Sequence, residues 1–442
     1  MVDSYKEKLD SLIDSGQLTM WLEPSAPRTG SNFLSRLIYQ SGDVDYVGSF
    51  TMGIKYDDEE AYARKLVEAY EGLSAQKNGQ AVRLFLKEHA AFLGKKTWDF
   101  LKNRVKGTVF IVRDPLLQSM SEINSTVADP ECIAMALKTK GEAIPDIMSY
   151  LEEHANKHGF VANNEKPAHK QLTSHVIKTG EYRLLDNLLG LCYGSTNGKI
   201  QDFDRNAYYR AANIFNVGAD SYVRMAELAQ DANPNNSIII NSTTIQGNPK
   251  IAHALCGKLG IKFDRKMVEG GWVTLNDTYS LSNVHTKRAA WASSAPDENA
   301  IVVPYKEAVT ADALPEVSRQ HVQEKMRAYL LLLNSGLCIN PQTAEQFDRF
   351  FDTAINIKKA GVEIHGTLLE KNAVTCYAMV SASRTLGQNE RETLKRKIVK
   401  ACPKFVDVFA HIDQLCQTLK SQFIRNEPSN RLYIDGATQL SV

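Results

Sequence analysis

Short apolar runs alternate with longer segments of helical spacing through the first part of the chain. Leu18 to Leu22 predicts a strand and Ser31 to Gln40 a helix. Val44 to Phe50 predicts a second strand, and Asp57 to Leu73, with its acidic start, a second helix. Val82 to Leu86, Thr108 to Val112 and Ser237 to Ile240 predict further strands. Strands separated by helices predict an α/β fold, a parallel sheet flanked by helices. Ahead of them, Tyr5, Leu9, Leu12 and Ile13 predict an amphipathic helix within 1–18, and no signal-peptide core is present there.

From 125 to 235 polar helical segments dominate, among them Ile144 to His158 and Ala207 to Asp231, with breaks such as Tyr193 to Gly198. The pattern predicts a helical insertion that divides the sheet into a first part, 19–124, and a second, 236–298. From 299 to 442 the chain predicts a helical extension: Glu316 to Leu333, Thr343 to Ala360, Thr367 to Thr385, and Asn389 to Phe423 with a break at Pro403. Leu330 to Leu333 suits a core or a subunit contact, so these helices are the candidate surface for a homo-oligomer.

Composition narrows the function classes. The 442 residues are 43% hydrophobic and 23% charged, which excludes a disordered, collagen-like or coiled-coil chain. Lys+Arg 52 against Asp+Glu 51 leaves a net charge of +1, so no global field favours nucleic acid or a membrane surface. A local basic pocket for a small anion stays open. No apolar window of about 18 residues predicts a membrane span. The 7 cysteines include no C-x-x-C pair, which suggests neither a disulfide framework nor a zinc knuckle and fits a cytoplasmic protein.

The candidate chemistry lies at predicted strand ends. After the first strand come Pro27-Arg28-Thr29-Gly30-Ser31-Asn32-Phe33 and then a helix. Backbone N–H groups at a helix start attract an anion, Arg28 adds a delocalised cation, and Thr29 and Ser31 add hydroxyls. The plainer alternative is an ordinary turn capped by Ser31. Arg113 ends a later strand, at the edge where open α/β sheets bind ligands, and Ser121 follows two helical turns on. Arg113 could instead pair with a nearby acid. Lys87 and His89, two apart on a strand, share a face; one suits charge neutralisation and the other proton transfer, though a lone His is often structural.

Together these segments resemble the sulfotransferase family, whose donor is 3′-phosphoadenosine 5′-phosphosulfate (PAPS). Pro27 to Phe33 is similar to its 5′-phosphosulfate loop, P-[KR]-[ST]-G-[ST]-x-[LFW]. Arg113 through Ser121 is similar to its 3′-phosphate motif, Lys87-Glu88-His89 to its K-x-H segment, and Asn248 to Asp264 to a segment of many bacterial members. The resemblance covers about 18–124 and 236–290. It implies a P-loop-type parallel sheet, with Arg28, Thr29, Gly30, Ser31, Asn32 and Phe33 around the 5′-phosphosulfate and Arg113 and Ser121 on the 3′-phosphate. It implies His89 as general base, with Lys87 and Arg28 offsetting charge on the transferring group. The product is 3′,5′-adenosine bisphosphate, the acceptor a small-molecule or carbohydrate hydroxyl or amine, and no metal is required.

The family's R-K-G tripeptide is absent; Lys262, Arg265, Lys266 and the Gly270-Gly271 turn are the candidates to complete the 3′-phosphate site. Two other readings stay open. One is a non-catalytic partner-binding protein on the same fold. The other is a P-loop small-molecule kinase, against which stands the missing G-x-x-x-x-G-K-[ST]. His154 and His158, one helical turn apart, could hold zinc with a third ligand, but a solvated helix face explains them as well.

Overall fold

The computed structural model describes residues 4–51, 54, 56–127, 147–179, 181, 184, 214–245, 249–269, 314, 316–333 and 388–401. The chain divides into two compact units. The first comprises Met1–Arg113, Gly198–Tyr208 and Asp220–Lys306; the second comprises Asp114–Asn197, Tyr209–Ala219 and Glu307–Val442.

The first unit is built on a parallel sheet. Helix α1 (Tyr5–Asp14) leads into β1 (Leu18–Ser25), followed by α2 (Ser31–Tyr39), β2 (Tyr46–Gly48), α3 (Glu59–Gln76) and β3 (Val82–His89). A 3-10 turn (Ala90–Phe92), α4 (Lys95–Leu101) and β4 (Gly107–Val112) come next. The second unit begins with α5 (Pro115–Val127), α6 (Ile147–Lys157) and α7 (Ala168–Thr179). Helix α8 (Ile214–Gln230) leads back to β5 (Ser237–Asn241), α9 (Ser242–Ile245), α10 (Pro249–Leu259) and α11 (Lys266–Glu269). The second unit then supplies α12 (Glu316–Leu333) and α13 (Gln388–Ala401).

The 5-stranded sheet has the order β2-β3-β1-β4-β5, and every pair is parallel. The fold is therefore α/β, with a parallel sheet flanked by helices. Strand β1 connects toward β2 and β4 toward β5, in opposite directions. The carboxyl ends of β1 and β4 thus face one crevice, the place where open sheets of this kind bind ligands.

Local chemistry accounts for the elements. Ser4 caps α1 through a capping box with Glu7. Asp58 accepts from the Ala61 N–H at 3.0 Å and starts α3, which buries Tyr62, Ala63, Leu66 and Val67. Strands β4 and β5 are buried throughout, as continuous apolar runs between helical layers must be.

In the second unit, α12 carries Lys325, whose ammonium is buried among α5 side chains. It lies 2.6 Å from Glu122 Oε2, 2.8 Å from Gln118 Oε1 and 3.1 Å from Ser119 Oγ. Asp114 caps α5 by accepting from the Leu116 N–H at 2.9 Å.

The predicted helices over Thr343 to Ala360, Thr367 to Thr385 and 402–423 lie outside the described residues, as do all cysteines except Cys256. Cys256 is a buried free thiol that burial pushes up to about 12. Among the described residues no helix is long and apolar enough to cross a membrane.

Candidate functional site

The turn between β1 and α2 is the centre of the site. Arg28 adopts a left-handed backbone, φ 63, and Gly30 another, φ 97. A non-glycine residue in that region is held there at a cost, and such residues cluster at ligand-binding turns. Gly30 is also the N-cap of α2, and no side chain caps that helix. Its first N–H groups are thus not taken by a side-chain cap, and the dipole adds partial positive charge. A Cβ at Gly30 would lie 3.0 Å from Ser242 Cβ, just past the end of β5.

The loop residues divide by exposure. Arg28 and Asn32 are exposed, Phe33 is half-buried, and Thr29 and Ser31 are buried. The Thr29 hydroxyl donates to the Ala26 carbonyl at 2.8 Å, so it tightens the turn. What Thr29 offers an anion is its backbone N–H.

Two cationic side chains reach this loop from neighbouring strands. Arg113, just after β4, donates from Nη1 to the Arg28 carbonyl at 3.3 Å. Lys87, near the end of β3, donates from Nζ to Asn32 Oδ1. The two flank the turn from β4 on one side and β3 on the other. The structure thus brings Arg113 and Lys87, both candidates from the sequence, to the Arg28 loop.

Tyr222, on α8, fixes Arg113. Its buried hydroxyl donates to the Arg113 carbonyl at 2.5 Å and accepts from the Arg113 N–H at 3.2 Å. Nothing in the sequence singled out Tyr222, because it reaches the strand end from more than a hundred residues downstream.

Strand β3 presents alternating faces. Lys87 and His89 are half-buried on one side, and Glu88 is fully buried on the other. Glu88 gathers the loop after β2. It accepts from the Phe50 N–H at 2.6 Å, the Thr51 hydroxyl at 2.7 Å, the Ser49 hydroxyl at 2.8 Å and the Tyr62 hydroxyl at 2.7 Å. This anchoring sets the end of β3, and with it His89, which pairs in register with Ser25 of β1. The His89 ring stands edge-on to Phe92, centroids 6.0 Å apart.

A second residue was not anticipated. Glu23 on β1 pairs in register with Lys87. It is fully buried, and its Oε2 accepts from the Ser35 hydroxyl at 3.4 Å. Burial drives its carboxyl up to about 8, against the opposing pull of Lys87 and of the Ser35 hydroxyl. Burial drives Lys87 down to about 8; Glu23 opposes this, while Arg36 and Arg28 reinforce it. A charged residue interrupting the apolar run of β1 was the signal available in the sequence.

Ser121 is buried on α5, in the second unit. Lys262 is exposed, and its N–H donates to Asp43 at 2.6 Å, while the preceding Gly260 carbonyl accepts from Lys106 at 3.1 Å. Lys106 precedes β4 and Asp43 precedes β2, so Lys262 sits by the amino edge of the sheet, opposite Arg113. Arg265 and Lys266 are exposed in the same segment, and Gly270-Gly271 lies outside the described residues. The His154 and His158 rings are tilted against each other with centroids 4.8 Å apart, and His154 Nε2 lies 3.0 Å from the Leu184 carbonyl. Among the described residues no group of three or more His, Cys, Asp or Glu could hold a metal.

Compared with known proteins, the chain matches no family model, no curated protein and no solved structure.

Proposed function

We propose that the chain is a sulfotransferase that moves a sulfuryl group from PAPS to a hydroxyl or amine of a small-molecule or carbohydrate acceptor. The observation that carries this reading is the convergence of Arg113 and Lys87 on the two ends of one strained loop, with Arg113 Nη1 3.3 Å from the Arg28 carbonyl. A donor with phosphate at two positions needs anion contacts at two separated points. The uncapped start of α2 suits one and Arg113 the other.

The residues then divide the work. The backbone N–H groups of Gly30, Ser31 and Asn32 hold the 5′ end, and Arg113 holds the 3′-phosphate. Phe33 lends its half-buried ring to the wall of the 5′ site. His89 takes the acceptor proton as the bond from acceptor oxygen to sulfur forms. Lys87 and Arg28 offset the charge left on the bridging oxygen as its bond to sulfur breaks. These steps use no metal, and 3′,5′-adenosine bisphosphate is the product.

The reading is tested by turnover of PAPS over a panel of hydroxyl and amine acceptors. Release of the bisphosphate in the wild type, lowered by about a hundredfold or more in His89→Ala with nucleotide affinity retained, is the expected result. Nucleotide binding without turnover on any acceptor would point to a non-catalytic partner-binding protein. Magnesium-dependent ATP binding in place of bisphosphate binding would point to a kinase.

A further inference from the structure

Lys87 is the most exposed to loss of its charge among the groups around the loop. It is flanked by Arg28 and Arg36, and burial acts against its ammonium. Two like charges and desolvation all favour the neutral amine. A neutral Lys87 would still donate a hydrogen bond, but it could not offset charge on an anion.

Glu23 is the counterweight. It lies across the β1–β3 ladder from Lys87, fully buried, with Oε2 accepting from Ser35. Among the described residues its other oxygen, Oε1, has no hydrogen-bond partner. Burying a carboxyl with one oxygen unsatisfied is costly, so packing alone gives no reason for a Glu inside this strand. We infer that Glu23 is a positioning residue for Lys87, whose buried carboxyl, once ionised, keeps the ammonium charged beside Asn32 and the anion loop as the pH rises above neutral. Lys87's part in sulfuryl transfer rests on the function proposed above; the coupling between the two side chains does not.

The order of proton loss follows from the surroundings. The charged groups around the pair are Arg28 in the loop, Arg36 on α2, and Glu88 on β3, with His89 two residues along the same strand. Near neutral pH Glu23 is protonated and Lys87 charged. On raising the pH the first proton leaves Glu23, because the adjoining ammonium and the Ser35 hydroxyl favour a carboxylate there, while Arg36 and Arg28 act against the ammonium of Lys87. That new carboxylate then holds the second proton on Lys87. Charge at the loop thus survives further into the alkaline range than a lysine between two arginines could manage alone.

Carbon NMR titration of the full chain tests the coupling directly. The Lys87 Cε signal is assigned by its loss in Lys87→Arg, and the Glu23 Cδ signal by its loss in Glu23→Gln. In the wild type Glu23 is expected to titrate before Lys87. In Glu23→Gln the Lys87 midpoint is expected to fall by about one pH unit or more, and in Glu23→Asp by less. Lys87 titrating first in the wild type, or an unmoved midpoint in folded Glu23→Gln, overturns the inference. A calorimetric arm uses 3′,5′-adenosine bisphosphate. The affinity lost in Glu23→Gln should grow from pH 6 to pH 9, and Lys87→Arg in the same chain should remove that growth. A loss independent of pH overturns the inference. A wild type that binds no bisphosphate refutes the sulfotransferase reading, while the NMR titration still decides the coupling.

Discussion

Arg113 Nη1 lies 3.3 Å from the carbonyl oxygen of Arg28, which ties the residue after β4 to the turn after β1. These two strands are neighbours in the sheet, and their connections leave in opposite directions. The contact therefore lies at the crevice that the topology opens. Tyr222 holds the Arg113 backbone through one hydroxyl on both its N–H and its carbonyl. Tyr222→Phe removes that clamp without touching the crevice. Bisphosphate affinity measured by calorimetry should weaken by about tenfold, as expected when the two hydrogen bonds that hold the Arg113 backbone are lost.

Gly30 combines a φ of 97 with a close approach to Ser242. Gly30→Ala would strain the backbone and press on the start of α9. Urea unfolding should show a loss of about 1–2 kcal/mol, and nucleotide binding should fall further because the N–H groups at the start of α2 turn away.

The raised value of Glu23 makes stability depend on pH in a stated direction. Between the ordinary 4.5 and about 8 the folded chain binds more protons at Glu23 than the unfolded chain does. Its stabilising contribution is complete below about 4.5 and is lost as the pH rises through about 8. The thermal midpoint of the wild type should fall relative to that of Glu23→Gln between pH 5 and pH 8. A constant difference between the two over that range would contradict the assignment.

Lys325 and Glu122 form an ion pair with side chains only 2% and 1% exposed. Removing one partner leaves the other charge buried. Lys325→Met should destabilise the second unit by about 3–5 kcal/mol in urea unfolding, and adding Glu122→Leu should recover much of the loss.

The sequence made the sheet legible where apolar runs were long and bounded. β4 and β5 appear within one residue of expectation, and α12 matches its predicted span, Glu316–Leu333. β1 continues three residues past the predicted Leu22, through Glu23 and Pro24 to Ser25. A buried acid and a proline argue against a central strand. The ladder to β4 accommodates them by running through Trp21, Leu22 and Ser25. The site was legible where cations stand at strand ends, as with Arg28, Lys87 and Arg113. Glu23 and Tyr222 were missed because each acts through a register or a contact that only the folded sheet creates. The candidates from Lys262 onward stand in about the region where the resemblance expects the R-K-G tripeptide, and the chain returns Lys262 to the opposite edge.

The central claim is that Arg28 and Arg113 serve one nucleotide. Titration calorimetry with 3′,5′-adenosine bisphosphate on the wild type, Arg28→Ala and Arg113→Ala, at one fixed salt concentration, tests it most directly. The expected result is one site per chain in the wild type, weakened by about tenfold or more in each variant, as for the loss of a charged hydrogen bond. Absence of binding in the wild type, or equal affinity in all three proteins, would contradict it.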